Sequence, residues 1–532
     1  VNNIKMLYNG KIYQGEGNFC QALLIKNDTI IGCGSNDEVE LLSLDYSKVE
    51  KNDLKGKCVV AGFNDSHMHL LKYARELKRV QLQECKSRKE VIEFCRKYII
   101  DNPELVKEGL RGRGWNQDNF DDRKLLTKED LDLISKEIPV VLVRVCGHMC
   151  CCNSKALELL KIESKDGILT ENDVSITNKL LNDDIQHLKQ LFIEINKKAL
   201  SQGVTSVQSQ DIDDLNKELE IISLLEEVYK SGENLCRYHL QVGFDSVASL
   251  KEALERDLYK FNICDDRLTF GPIKLFKDGS LGAKTALVYD GYIDDKDNKG
   301  LEVVTHQEMR EFFKVAEENG LQVIVHAIGD KAIDQTCQAL ILQMEKGNKF
   351  RHTVNHCQIT SYEILKKIAD NKILIAYQPI FLQYDLHMAK NRVVEELLKS
   401  SYAFKTALDY GIKISFGTDC PVERLNPFSN IHCAVNRQDL KYQPADGYYP
   451  KESLTVQQSI DNYTIGSSYQ QFMENSKGKL QVGYLADYIV LDRDIFTCDK
   501  KDIKNIEVLE TVIGGKTVYD KQKGTTGTVC KR

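Results

Sequence analysis

The sequence has no apolar run near the ~18 residues that a bilayer crossing needs, so no membrane-spanning helix and no membrane partner are expected. It has no excess of basic charge: 72 Lys and Arg stand against 79 Asp and Glu, a net of −7. Broad nucleic-acid binding needs a basic footprint, and the balance argues against it. The first residues, Val1-Asn2-Asn3-Ile4-Lys5, lack the basic, apolar and small-residue succession of a secretory signal and lack an initiator Met, so the start is read as trimmed. Seventeen cysteines are present, yet no Cys-x-x-Cys pair has a partner pair at zinc spacing. Cys150, Cys151 and Cys152 are adjacent, a poor disulfide framework, and the others sit scattered in apolar runs. Free thiols in a reducing cytoplasm are the simplest account. No low-complexity stretch or internal repeat is evident. What remains is an enzyme-sized globular chain, 42% hydrophobic and 28% charged, expected to act on a small molecule. A homodimer is named as an expectation with no residue behind it.

Both ends of the chain read as short strands broken by turns. Ile4–Tyr8, Ala22–Ile25 and Thr29–Ile31 lie near the start, and 483–492 and 510–519 near the end. Together they predict a small composite β-sandwich from residues 1–58 and 475–532. Gly32-Cys33-Gly34-Ser35 is read as a hairpin turn, with no helix opening on it as a dinucleotide site requires. The middle, 59–474, alternates β runs with amphipathic helical patterns, as a parallel α/β fold does. Eight candidate strands end near His69, Gln210, Gly243, Phe276, His326, His356, Gln378 and Asp419. Eight such units predict a (β/α)8 TIM barrel, whose active sites gather at the C-terminal ends of the strands. The gap between strands one and two exceeds a single crossover helix. It predicts an inserted α/β subdomain, about 75–200, over the barrel mouth.

Chemistry concentrates at those strand ends. His67 and His69 lie two apart in Gly62-Phe63-Asn64-Asp65-Ser66-His67-Met68-His69. On a strand that spacing aims two imidazoles at one place, a cheap way to hold a divalent metal. His326 follows Val323-Ile324-Val325, His356 follows Thr353-Val354-Asn355, and Asp419 follows Gly417-Thr418. Lys274 lies within Ile273-Lys274-Leu275-Phe276. Each residue has a plainer alternative: a hydrogen-bonded structural histidine, a turn aspartate, or a pairing of Lys274 with Asp278. Six coincidences on one rim favour a site.

With Gly147-His148, Asn153-Ser154-Lys155-Ala156-Leu157, Lys274 through Gly282, His326-Ala327-Ile328-Gly329-Asp330-Lys331-Ala332, His356-Cys357-Gln358, Gly417 through Glu423 and Gly483 through Asp487, the chain resembles the amidohydrolase superfamily of metal-dependent hydrolases. The resemblance is to its amidohydrolase-3 (YtcJ-like) branch, which includes N-substituted formamide deformylases, and it runs through essentially the whole chain. It implies one or two divalent ions, zinc by expectation, at the barrel mouth. His67 and His69 would bind the more buried ion, His326 and His356 the second, and Asp419 would touch the first ion and the reacting water. Lys274 matches a lysine that in many relatives is carboxylated and bridges two ions; Lys277 fits the motif less well.

The expected activity is hydrolysis of a carbon–nitrogen bond other than a backbone peptide, in an N-substituted amide or formamide, with Asp419 as general base and then acid. The alternatives are a one-metal deaminase of a heterocycle, which would not need Lys274, and a silent barrel that binds a small molecule. For substrate contact the candidates are Trp115, the only tryptophan, which either lines a pocket or plugs the subdomain core; His148; and, at strand ends, Gln378 and Gln210.

Overall fold

Buried runs of Val, Ile, Phe and Thr, broken by helices of amphipathic pattern, build a parallel barrel. The computed structural model describes residues 3–77, 79–103, 106–144, 149–170, 172–180, 185–259, 262–344 and 347–523. The barrel strands are β1 (Phe63–Met68), β2 (Val204–Ile212), β3 (Arg237–Gly243), β4 (Leu268–Phe276), β5 (Val323–Ala327), β6 (Thr353–His356), β7 (Leu374–Tyr377) and β8 (Ile414–Phe416). Each pairs in parallel with its neighbour in chain order. The gap between β8 and β1 is bridged just past the strand ends, where Asp419 N donates to His67 O and His69 N to Cys420 O, both at 2.8 Å. Gly417 is required there by space: a Cβ would lie 2.6 Å from His67 N and 2.8 Å from His67 O.

The intervening helices bury one stripe each. Leu219–Lys230 covers Ile221, Leu224, Leu225 and Val228, a helical i, i+3, i+4, i+7 spacing. His306–Glu318 starts on a capping box between Thr305 and Glu308 and buries Met309, Phe312, Phe313 and Ala316.

The chain ends form two further sheets. One runs Thr29–Gly34, Ala22–Lys26, Ile4–Tyr8, Glu50–Asp53; the other runs Lys516–Asp520, Val508–Ile513, Tyr488–Leu491, Cys58–Ala61, Lys11–Gly15, Asn18–Cys20. Leu7, Leu23 and Ile25 from the first share a core with Ile12, Val59, Tyr488 and Val512 from the second. Two sequence expectations need correction here. Residues 59–61, placed with the barrel by the boundary at 59, belong with Cys58 to a strand of the terminal sheet, Cys58–Ala61. Gly62 marks the corner because a Cβ there would meet the Thr205 side chain at 2.2 Å. A helix, Asn36–Ser43, does open beside Gly34, on a Ser35–Glu38 capping box. The preceding strand is nevertheless antiparallel to its neighbour, so no dinucleotide-binding βαβ unit results.

Inside the barrel unit, polar side chains of β1, β2 and β8 meet the segment 467–477. Asn64 donates to Gln471 Oε1 at 3.0 Å, Gln470 to Gln208 Oε1 at 2.9 Å, and Ser415 to Gln470 Oε1 at 2.7 Å. The ammonium of Lys477 reaches Ser206 Oγ at 2.6 Å and Gln471 Oε1 at 2.7 Å. Burial pushes its pKa down to about 7.

Residues Leu71–Phe192 form a second compact unit. Its sheet runs Ile168–Thr170, Met149–Cys152, Val140–Arg144, Leu110–Trp115, Arg79–Gln81. Trp115 is fully buried in that unit's core. It stacks on Phe120 with ring centroids 6.4 Å apart and donates its indole N–H to Leu142 O at 2.8 Å. Of the two roles open to it, the core plug is the one this placement serves. Gly147 and His148 lie outside the described residues.

Candidate metal centre

Alternation along β1 does what the spacing implied. The rings of His67 and His69 sit 5.1 Å apart, and their Nε2 atoms lie 3.3 and 3.0 Å from the same oxygen, Asp419 Oδ1. The other ring nitrogen of each is tied to a carbonyl. His67 Nδ1 bonds Gln241 Oε1 at 2.7 Å and His69 Nδ1 bonds the Gln210 backbone oxygen at 2.6 Å. On β6, His356 Nδ1 bonds Gln378 Oε1 at 2.6 Å. At the end of β5, His326 Nε2 bonds Gly279 O at 2.9 Å. A carbonyl oxygen can only accept, so all four rings donate outward, leaving a lone pair on Nε2 of His67, His69 and His356 and on Nδ1 of His326. Ligating histidines are oriented in this way.

Electrostatics agree. Burial is the main cause holding His67 down to about 3 and His326 to about 4, with the Lys274 amine adding to both. Burial likewise holds His356 well below the usual imidazole range. Neutral imidazole is the form that binds metal. Burial alone would raise the Asp419 carboxyl; protonated His67 and His69 beside it would hold it well below the usual range, and once both Nε2 atoms present lone pairs a cation must take over that role. Asp419 Oδ1 is buried with no hydrogen-bond partner. Lone pairs of two imidazoles and a carboxylate oxygen thus converge with no hydrogen between them, a costly arrangement unless a cation completes it. The ligand atoms of His67, His356 and Asp419 lie within 4.8 Å of one another. These residues fit a divalent ion.

Backbone strain marks the same places. His356 and Asp419 adopt left-handed φ values of 75° and 56°, conformations that a non-glycine residue holds only when its surroundings enforce them. Asp65, buried in β1, supplies part of that enforcement. Its carboxylate accepts from Thr418 Oγ1 at 2.6 Å and from Thr418 N at 3.1 Å, fixing the turn that carries Asp419.

The two candidate lysines separate cleanly. Lys274 is 1% exposed, with Nζ 3.4 Å from His67 Nε2. Lys277 instead pairs with Glu302 and donates to Val304 O at 2.9 Å. Asp278 does not take Lys274 as partner. Its carboxylate accepts three backbone amides, of Leu287, Ile328 and Gly329, at 2.8–3.0 Å and lies 3.6 Å from His326 Nε2.

Six residues named from sequence therefore gather in one place. Gln378, expected to contact substrate, orients His356, and Gln210 contributes its backbone oxygen to His69. Gln241, Asp65 and Asn355 escaped sequence reading. Their signal was a polar side chain within a strand otherwise buried on both faces, where polar groups need a reason.

The amidohydrolase family is matched over residues 51–519. The chain belongs to that family. This amidohydrolase is 29% identical over 526 residues to YtcJ of Bacillus subtilis (strain 168), covering 95% of this chain and 97% of that one. It is 31% identical to a metal-dependent hydrolase of Pyrococcus furiosus whose crystal structure is solved, with a TM-score of 0.79 over 93% of this chain and 100% of that one. An N-substituted formamide deformylase of Arthrobacter pascens is 23% identical, covering 94% and 95%. Family, fold and site together describe a metal-dependent hydrolase of the amidohydrolase type.

Proposed function

We propose that this amidohydrolase cleaves a carbon–nitrogen bond other than a backbone peptide, in an N-substituted amide or formamide, using zinc or a similar divalent ion. The observation that carries this reading is the convergence of neutral imidazoles and the ionised Asp419 on one point. The likeness to a formamide deformylase supports the substrate class. When bound, the ion supplies Lewis acidity for a carbonyl oxygen and acidifies water towards a pKa of ~7. Asp419 takes the proton of the attacking water on its carboxylate and delivers it to the leaving nitrogen, which departs poorly unless protonated. The four carbonyl-tethered histidines hold their orientation through the cycle, so little reorganisation opposes the step. Lys274 beside His67 supports the amide reading over deamination. As its carbamate it would be an anion with two oxygens, able to help hold ions alongside the four histidines and Asp419. The fifteen described cysteines are all free thiols, which supports the cytoplasm as location. No described helix is long and apolar enough to cross a membrane.

The test is elemental analysis of protein purified without chelator, followed by assay against N-alkyl formamides, N-substituted amides and amino-heterocycles. About two ions per chain with amide turnover is the expected result. One ion with ammonia released from a heterocycle would replace the reading with deamination. No ion, before or after adding metal, would end it.

A further inference from the structure

Asn355 immediately precedes His356 on β6 and is fully buried. A carboxamide can be set either way round, and its hydrogen-bond network decides. With the oxygen inward, Oδ1 lies 3.0 Å from Lys274 Nζ, 2.9 Å from His356 Nε2 and 3.1 Å from His67 Nε2, while the NH2 donates outward to Ala376 O at 3.2 Å. Reversed, the NH2 would face the unmodified Lys274 amine, donor against donor, although it could donate to the lone pairs on His356 and His67 Nε2; an ion that takes those lone pairs leaves the inward setting as the favoured one. Gln378 accommodates the inward setting at a cost, since its Nε2 then lies 3.1 Å from the Asn355 NH2, whereas in the reversed setting it would donate to Asn355 Oδ1. Its Nε2 donates to the same Ala376 oxygen at 3.3 Å and its Oε1 keeps the His356 Nδ1 proton. A carbonyl has two lone pairs, so Ala376 O satisfies both amides.

The inward oxygen is therefore a third kind of donor aimed where the imidazole lone pairs converge. Ligand atoms at the usual bond lengths around a four- to six-coordinate ion lie about 3.0–3.5 Å from one another. The separation of His67 Nε2 and Asp419 Oδ1, 3.3 Å, falls in that span. The Asn355 distances fall at its lower edge. We propose that Asn355 Oδ1 is a further ligand of the ion held by His67, His356 and Asp419. The proposal rests on the ion-binding reading of the site but not on any substrate. A neutral oxygen adds a hard donor without adding charge, so the site would gain affinity for oxygen-tolerant ions while its net charge stays set by Asp419 and by the state of Lys274.

The experiment is Co2+ titration of metal-stripped full-length protein, read by the visible ligand-field spectrum and by elemental analysis, with no substrate present. Asn355→Leu is expected to lose at least tenfold in affinity and to shift the cobalt bands; Asn355→Asp, which keeps an oxygen, is expected to bind as tightly as the parent or tighter. Asn355→Ala, smaller than the native side chain, is judged by the criteria set for Leu should the Leu variant not fold. Binding by Asn355→Leu or Ala within threefold of the parent, with an unchanged spectrum, overturns the proposal and leaves Asn355 as an anchor for Lys274. Failure of the parent itself to bind cobalt would instead overturn the ion-binding reading.

Discussion

Asp419 carries two burdens, ion contact and proton transfer, and its replacement separates chemistry from folding. Asp419→Asn keeps size and the left-handed turn, where Asn is well tolerated, but cannot accept a proton. A fall in kcat of about 10²–10⁴-fold is expected, with a melting temperature for the metal-free protein near that of the parent. The orienting residues predict a different phenotype. Gln241→Leu and Gln378→Leu release the Nδ1 protons of His67 and His356, and each is expected to weaken metal binding by about 10–100-fold, as measured by competition with a chromophoric chelator. At this scale the sequence was informative about groups that carry chemistry. Histidine, aspartate and lysine at the ends of apolar runs stand out. Their partners were illegible because a carbonyl or carboxamide from the neighbouring strand becomes a partner only once register is fixed. Gln241 looks, in sequence, like any polar residue near a strand end, and Gln378 stood out there only as a candidate for substrate contact.

The elements depend on their closest approaches. Gly417→Ala would place a methyl group against the His67 backbone, where no flexible side chain can move aside. A loss of roughly 1–3 kcal/mol is expected, as for overpacked cores. Gly282→Ala, whose Cβ would meet only the flexible Met388 side chain, at 3.5 Å from Cε, is the control expected to change little. Calorimetry of both metal-free variants checks this, and comparable melting of the two would remove the steric role given to Gly417. Most barrel strands were legible because a short apolar run precedes a helix of clear amphipathic period. Two elements were not. The stretch from Cys58 through Met68 changes sheet while staying buried throughout, and the crowding at Gly62 marks where its halves part. The helix at Asn36–Ser43 was announced by Ser35 and Glu38 three residues apart, a capping signal hidden by the short, mixed sequence that follows.

For the whole molecule, the buried Lys477 sets a pH dependence. An ordinary lysine titrates near 10.4, whereas this one is held down to about 7 in the fold. Between those values the unfolded chain binds more protons than the folded one, so this group makes stability rise with pH across that window and exacts its full cost below it. Lys477→Met should flatten the change in melting temperature between pH 7.5 and 9.5; an unchanged slope would mean that Lys477 titrates normally. Removing the ion should also lower the melting temperature, because a ligand bound only by the native state stabilises it by mass action. The pairing of Cys58–Ala61 with Tyr488–Leu491 has a bearing on synthesis. Val60 meets Ile489, a residue made more than 400 positions later. At about 5–20 residues per second, roughly 20–90 seconds pass with an apolar strand edge waiting on the ribosome for its neighbour. Nascent chains of this protein should therefore need holding by a chaperone until the last strands emerge, and a stop codon before residue 480 should yield aggregate rather than a smaller soluble barrel.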